Sequence, residues 1–417
     1  MNIILESIAL KKPVLNCRAC DANTLKSIIP LGELPLANAL LASSVASEEF
    51  LYNLEIMLCE TCGLAQLRDL IDPSQLFSEY VYFSSNSDTM LNSVAQLVER
   101  LIPHLPNNAH VIEIASNDGY LLKNYIKHHI EVLGIDPAKN IAEIANENGI
   151  STLCDFFSEA FALKLVFENK QADIIHANNV MAHVPDINGF VKGIKHLLKP
   201  NGFAVIEVPY FLDLVQKLEF DTIYHEHVFY FSVKPLKMLF ERHGLQLFDI
   251  EKIEIHGGTL RLFLGHKDAH SVKSIIEEMI TQENALHLYE LATFESFMKQ
   301  LAILKSDLLV ALTKLKESGQ KIAAYGASAK GTTLLNYFGI NQDYLHFVVD
   351  KSTVKQGLYT PGTRLPIKNP DALIVEKVNH ALLLAWNFAE EIIGQQQDFI
   401  RQGGNFIFPL EPNRALP

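Results

Sequence analysis

The chain has 417 residues, 48% of them hydrophobic and 20% charged, with a formal net charge of −13. That length exceeds one ordinary core and predicts two or three globular domains. The acidic balance leaves no basic face for nucleic acid, and no run reaches the about 18 apolar residues that span a bilayer.

The start, MNIILESIALKKPVLNCRAC, lacks a cationic stretch followed by a long apolar run, so a cytoplasmic protein without a membrane partner is expected. Residues 1–75 read as a small irregular domain with turn signals such as PLGELP and IDPS. Four of the five cysteines fall here, as two C-x-x-C pairs: Cys17 with Cys20, and Cys59 with Cys62. Each short loop sets two thiolates about a metal's diameter apart, and four complete a tetrahedral shell, so one structural Zn2+ is expected. Four thiolates leave no open position for metal catalysis. Cys154, which follows STL in strand-like sequence, reads as a buried core residue.

Residues 76–105 predict a helical lead-in with Met90, Val94, Leu97, Val98 and Leu101 on one face, closed by Pro103 and Pro106. From 106 to 265, strands (HVIEIAS, EVLGIDP, ADIIHANNV, GFAVIEVP) alternate with helices (GYLLKNYIKHH, AKNIAEIANENG). Buried apolar runs separated by helices predict a parallel sheet. A helix, PLKMLFERHG, then precedes a closing strand pair, LQLFDIEKIEIHGG and TLRLFLGH. The fold class is therefore α/β, with residues 76–265 as a central Rossmann-like domain.

VIEIASNDGYLL, residues 111–122, predicts a strand, a small-residue turn and a helix. Glu113, Ala115, Asn117 and Gly119 occupy the places of E-x-G-x-G-x-G, with Ser116 between them. The second strand ends at Asp136–Pro137, where an acid can accept both ribose hydroxyls of an adenosine. Asp155 follows the third strand and is a candidate partner for the adenine amino group. Asn178 and Asn179 close the fourth. All of these gather at the carboxyl edge of an open α/β sheet, where ligands bind. The turn lacks G-x-G-x-x-G and covers a pyrophosphate poorly, so it suits a nucleoside without phosphates, S-adenosyl-L-methionine.

Residues 221–232, DTIYHEHVFYFS, set Tyr224, His225, Glu226 and His227 side by side over the same edge. No third ligand stands near the two histidines at helical or knuckle spacing, which argues against a second metal. A polar loop with satisfied histidines competes with a proton-transfer site. Proximity to a methyl donor favours the latter, since a histidine neutral near pH 7 can accept a proton beside an orienting carboxylate.

Residues 271–317 predict one or two amphipathic helices, and 321–417 a second α/β pattern, so 266–417 is expected to form a C-terminal Rossmann-like domain. In AAYGASAKGTTLLNYFG, Ser328 and Lys330 sit in a strand-to-helix turn, a candidate pyrophosphate contact. A structural turn with a solvent-facing lysine is the alternative. Asp350 and Lys355 are expected along the same cleft. Trp386 and Asn387 close another strand, with core packing the leading expectation for them.

CRAC…LGELPLANALL…CETCGLAQL, SEYVYFSSNSDTM, EIASNDGYLL, EVPYFLDLVQKLEFDTIYHEHVFYFS and GGTLRLF together resemble the nucleotide-sugar C-methyltransferases, from about residue 14 to the end. The resemblance implies a zinc domain, a central S-adenosylmethionine domain and a C-terminal domain that helps hold the nucleotide-sugar. It also implies that His227 removes the proton next to a ketone, with Tyr224, Glu226, His183 and Tyr82 around the reacting sugar. The departure is Ala115, where the wider methyltransferase loop often has glycine. Methylating carbon needs a carbanion equivalent, so a base for the proton and donors for the enolate oxygen are required. Tyr224 and His183 are both candidates for the oxygen.

The leading expectation is S-adenosylmethionine-dependent C-methylation of a dTDP- or GDP-linked 4-keto-6-deoxysugar beside the ketone, at C-3 in the resembling enzymes, by a chain compatible with a monomer. An O- or N-methyltransferase on another metabolite and a non-catalytic zinc-knuckle binding protein are the competing readings.

Overall fold

The structure is a computed structural model describing residues 16–45, 49–77, 85, 87–254 and 257–412. Three sheets carry it. The first opens with β1 (Leu25–Pro35), β2 (Leu51–Cys59) and β3 (Ala65–Leu67), paired antiparallel in that order. Its strands alternate buried and exposed positions, as a half-buried antiparallel sheet must.

At one end of these strands the four predicted cysteines converge. Their sulfurs lie within 4.8 Å of one another, with Cys17–Cys62 and Cys20–Cys59 each at 3.6 Å. A tetrahedral Zn2+ with Zn–S bonds of about 2.3 Å needs sulfurs about 3.8 Å apart. The cluster fits that ion and serves as a structural zinc site. The knuckle is docked on the central domain: Asn188 Nδ2 donates to the Arg18 carbonyl at 2.7 Å, and Arg242 donates to the carbonyl of Ala19.

Helix α1 (Asp88–Leu101) follows, capped by Ser87, whose hydroxyl accepts from the Met90 amide. The five residues predicted for its inner face are the five it buries. The central sheet contains β4 (His110–Ile114), β5 (Glu131–Ile135), β6 (Thr152–Leu153), β7 (Ala172–Asn178) and β8 (Leu198–Pro209), all parallel. The chain then donates β9 (Phe229–Tyr230) to the first sheet, where Tyr230 opposes Ala65 and Phe229 opposes Gln66. After helix α2 (Val233–Arg242) come β10 (Leu245–Ile253) and β11 (Thr259–His266). Strand order is β10-β11-β8-β7-β4-β5-β6, with β11 antiparallel to both neighbours. Order reverses on either side of β4, which makes its carboxyl end the topological switch point.

Two helices, α3 (Ile275–Ala285) and α4 (Leu291–Glu317), lead to the third sheet. α3 belongs physically to the centre. Its buried Glu283 accepts from the amides of Val233 and Lys234 at 2.6 and 3.2 Å, capping α2 in place of Ser232. Tyr210 and Tyr289 hydroxyls complete the carboxylate's partners, at 3.1 and 2.5 Å. The third sheet has β12 (Ile322–Tyr325), β13 (Val348–Val349), β14 (Ile367–Lys368), β15 (His380–Leu383) and β16 (Asn405–Ile407), with helix α5 (Ala329–Phe338) after β12. All its strands are parallel, in the order β14-β13-β12-β15-β16. It is a second Rossmann-like sheet, with its switch point at the end of β12. Among the described residues no helix is long and apolar enough to cross a membrane.

Cys154 departs from its expected burial. β6 ends at Leu153, and the thiol lies exposed beyond the strand, 3.7 Å from the Pro137 carbonyl.

Metal analysis of protein purified without chelator is expected to give about one zinc per chain. Because β9 is paired to β3, stripping the metal should also remove hydrogen-exchange protection at residues 228–230. Protection that survives complete zinc loss would sever this link between the knuckle and the segment after His227.

Candidate active site

The carboxyl ends of the two parallel sheets face each other across one cavity of about 1120 Å³. It is lined by Ala115, Asn117, Asp136, Asp155, Asn178 and Asn179 from the central sheet, with Pro137 beside Asp136. Ser328, Lys330 and Lys355 line it from the C-terminal sheet, and His183, Tyr224 and His227 stand between. The volume exceeds the several hundred Å³ of an ordinary one-ligand pocket.

On the central side the loop after β4 turns sharply. Ala115 and Asn117 hold φ values of +56° and +49°, in the left-handed region that glycine adopts freely. The glycine of the wider motif at the first position is thus explained by backbone conformation. Asp136 braces this turn: its Oδ2 accepts from the Asn117 amide and its Oδ1 from the Ala138 amide, both at 2.9 Å. Each oxygen keeps a further lone pair for a ligand hydroxyl. Ser116 packs over Gly134, where a Cβ would stand 2.5 Å from its hydroxyl oxygen. Gly119 starts the following turn. Glu113 lies behind the loop, its carboxyl raised well above the usual range by burial and then by Asp118, Asp136 and Glu207.

Glu113 Oε2, Ser116 Oγ and both amide atoms of Asn178 are buried without a hydrogen-bond partner among the described residues. Such orphans are rare in a finished core. Of the three, Asn178 lines the cavity, so its amide marks a polar cradle there, and a nucleoside with an amino-acid tail has the donors and acceptors to fill it. Asp155 is exposed at the rim and accepts from the Phe156 amide at 2.8 Å.

Between the sheets, His227 is fixed from both ring nitrogens. Nδ1 lies 2.8 Å from the Thr222 carbonyl, and Nε2 lies 2.8 Å from the Tyr224 hydroxyl. A carbonyl can only accept, so Nδ1 carries a proton, and in the neutral ring Nε2 is then the acceptor for the Tyr224 hydroxyl. This is the tautomer in which Nε2 can act as a base. The Tyr224 ring lies 4.1 Å from the imidazole, and the His183 ring 4.9 Å away on an edge-on approach. Burial pushes His183 down to about 4, against the backbone of Glu226 and Asn179, so it is neutral at pH 7.

The two intervening residues turn the other way. His225 turns behind the wall, where its Nε2–H donates to the Tyr52 carbonyl of β2 at 3.1 Å. Glu226 sits off the cavity surface, accepting from Asn38 Nδ2 at 2.6 Å. Burial raises its carboxyl to about 7, opposed by Asn38 and by the charge of Lys355. Asn38, from the segment LPLAN, does line the cavity. Sequence reasoning passed over it, although it falls inside a quoted motif. Tyr82 lies outside the described residues.

On the C-terminal side the turn after β12 repeats the central plan. Asp350 Oδ2 accepts from the Ala327 amide and Oδ1 from the Ser352 amide, both at 2.8 Å. Ser328 caps α5 by accepting from the Gly331 amide at 3.1 Å. Lys355 reaches the Ala327 carbonyl at 2.8 Å, with Asp350 at 3.8 Å, so its charge also secures the turn. Lys330 faces inward, not to solvent, 4.5 Å above the Trp386 ring and beside Asp221 and Glu219.

Comparison with known proteins matches this organisation. One family model, described as "Methyltransferase domain", covers residues 88–250, another, "C-methyltransferase C-terminal domain", covers 254–411, and a third, "Putative zinc binding domain", covers 17–77. C-methyltransferase NovU of Streptomyces niveus is 32% identical over 409 residues, 97% of each chain. The chain belongs to this C-methyltransferase family. A ubiquinone biosynthesis O-methyltransferase of Coxiella burnetii is 22% identical over 163 residues, 35% of this chain and 68% of that one. The crystal structure of PH0226 protein from Pyrococcus horikoshii OT3 covers 47% of this chain and 98% of that one at 16% identity and a TM-score of 0.36. The C-methyltransferase described here uses S-adenosylmethionine, and the cradle after β4, β5 and β7 holds the residues that would bind it.

Two outcomes follow from this geometry. Ala115→Gly should gain up to about 1 kcal/mol of stability by releasing the left-handed strain, less the added freedom of the unfolded chain. A fall in melting temperature instead would show that the methyl group packs usefully. Glu226 has its folded-state value raised from the ordinary 4.5 to about 7. The stability it contributes is therefore complete below about pH 4.5 and is lost as pH rises through 7. Glu226→Gln, which keeps an oxygen for Asn38, should melt higher than the parent near pH 8.5 and lose that advantage near pH 5. Equal melting shifts at both values would contradict the raised carboxyl.

Proposed function

We infer that this C-methyltransferase acts on a nucleotide-linked 4-keto-6-deoxysugar, carried on dTDP or GDP, and methylates the carbon beside the ketone, C-3 by resemblance. The observation that carries this reading is the shared cavity. Two Rossmann-like switch points open into it, and an imidazole whose Nδ1 is held by a backbone carbonyl stands between them. One switch point suits the nucleoside of the methyl donor and the other the nucleotide of the acceptor.

S-adenosylmethionine, when bound, supplies an electrophilic methyl group. The chain's part is to prepare the carbon. His227 Nε2 takes the proton from the carbon next to the ketone once Tyr224 turns its hydroxyl from that nitrogen toward the sugar. The electron pair left behind delocalises onto the ketone oxygen. Tyr224 O–H and neutral His183, whose rings flank His227, are the donors that would meet that oxygen, and neither role requires a charged group. The Thr222 carbonyl then receives a stronger hydrogen bond from Nδ1 of the imidazolium. Alignment of carbon and donor supplies much of the remaining acceleration.

His227→Ala should abolish methyl transfer, by about 10³-fold or more, while calorimetry shows S-adenosylmethionine affinity nearly unchanged. Parallel loss of both would count against a base. In deuterated buffer, substrate incubated without donor should exchange its α-proton with the parent enzyme and not with the variant. Transfer to oxygen or nitrogen requires no such exchange. A mass-spectrometric screen of nucleotide ketosugars for a one-methyl gain, followed by NMR placement, identifies the acceptor.

A further inference from the structure

The catalytic histidine owes its tautomer to a backbone carbonyl, so whatever fixes that carbonyl fixes the base. Thr222 belongs to a single 3₁₀ turn, Phe220–Thr222, too short to hold itself. Below it, the Thr222 amide and hydroxyl donate to the Glu219 carbonyl at 3.1 and 2.7 Å. Further restraints come from the C-terminal domain. Trp386 Nε1 donates to Asp221 Oδ2 at 2.6 Å, Thr333 Oγ1 donates to the Ile223 carbonyl at 3.1 Å, and Phe220 stacks on Phe338 at 4.7 Å.

Asp221 is fully buried. A carboxyl group in such a place is costly to retain, and burial raises it to about 6 despite Lys330 and the indole. A residue that serves packing alone could be apolar here. Trp386 in turn begins the turn Trp386–Phe388 just beyond β15, and its neighbours Asn387 and Phe388 line the cavity. The same short segment thus touches the acceptor side of the cavity and grips the turn behind the base.

We propose that Asp221 and Trp386 are positioning residues: their hydrogen bond ties the end of β15 to the turn whose Thr222 carbonyl holds His227 in its base-competent tautomer. Order in the acceptor half of the cavity is thereby transmitted to the base. This rests on His227 being the base, but its central readout does not.

The test uses full-length, zinc-loaded protein and Trp386→Phe, Asp221→Asn and Asp221→Ala. Nitrogen-15 NMR of labelled histidine, assigned with His227→Ala, reports the His227 tautomer without turnover. In the parent enzyme it should show protonated Nδ1 alone. Trp386→Phe and Asp221→Ala should give a tautomer mixture and a 10–100-fold lower kcat, in the range of other outer-shell partners, with S-adenosylmethionine affinity within about two-fold. Asp221→Asn retains an oxygen for the indole and should keep the parent tautomer and most of kcat. Should Asp221→Ala fail to fold, Trp386→Phe and Asp221→Asn decide the matter. An unchanged tautomer and kcat in Trp386→Phe overturns the proposal, as does Asp221→Asn losing kcat with its tautomer unmoved. A tautomer shift without an effect on kcat would leave the coupling intact and locate the failure in the base assignment.

Discussion

The segment from Glu219 to Phe231 has almost no regular structure, so its backbone polar groups must be satisfied by others. All three domains do this. The Val228 amide donates to the Ala182 carbonyl at 2.7 Å in the central domain, and the Leu67 amide donates to the Val228 carbonyl at 2.8 Å in the zinc domain. Thr333 of the C-terminal domain holds the Ile223 carbonyl. His227 is placed by this shared grip rather than by any one element. The zinc site therefore does more than close a small domain, because it fixes a sheet whose last strand begins two residues after His227. A side chain on a loop gains precision only when the scaffold around it is rigid, and here the rigidity is collected from all three domains.

The two Rossmann-like sheets solve the same local problem in the same way. An acid at the end of the second strand, Asp136 or Asp350, takes the amide of the turn after the first strand with one oxygen. With the other it takes the amide two residues ahead of itself. Each turn is held in shape before a ligand arrives. Preorganised turns lower the ordering cost of binding. The likeness was not alignable by sequence, since SNDG after β4 and SAKG after β12 share little beyond small size. Geometry reveals it because the acid and its two amides recur, not the residues that carry the amides.

What sequence could and could not reveal divides along the same physical line. Periodicity gave the inner face of α1, and composition and spacing gave the parallel strands and the zinc ligands, because each depends on residues near one another in the chain. Cys154 was misjudged because β6 stops one residue before it, and strand ends are not encoded by apolar character alone. Glu226 stands between two cavity residues in sequence, yet it turns away toward Asn38, some 188 positions distant. Alternation in an irregular loop cannot be read from a pattern. Trp386 was assigned to packing, and its indole N–H found Asp221 across 165 positions of chain. Polar partnerships between domains leave no periodic trace.

The buried acids show where this chain gives up stability. Burial raises even the well-partnered ones, Glu207, which meets Arg261 at 2.7 Å, and Glu283, which takes four donors. Nearer the cavity, Glu113 and Asp221 each keep a buried oxygen without a hydrogen bond among the described residues. Burial raises Glu219, Asp221 and Glu226 toward neutrality even beside lysines, and it raises Glu113 well above the usual carboxylate range. A core selected for stability alone would replace them. The lining of the cavity is not arranged as opposite charges on opposite walls: Asp136, Asp155 and Asp186 stand on the central side, whereas Lys330, Lys351 and Lys355 share the C-terminal side with Asp350 and Glu391, so only the central wall carries a single sign.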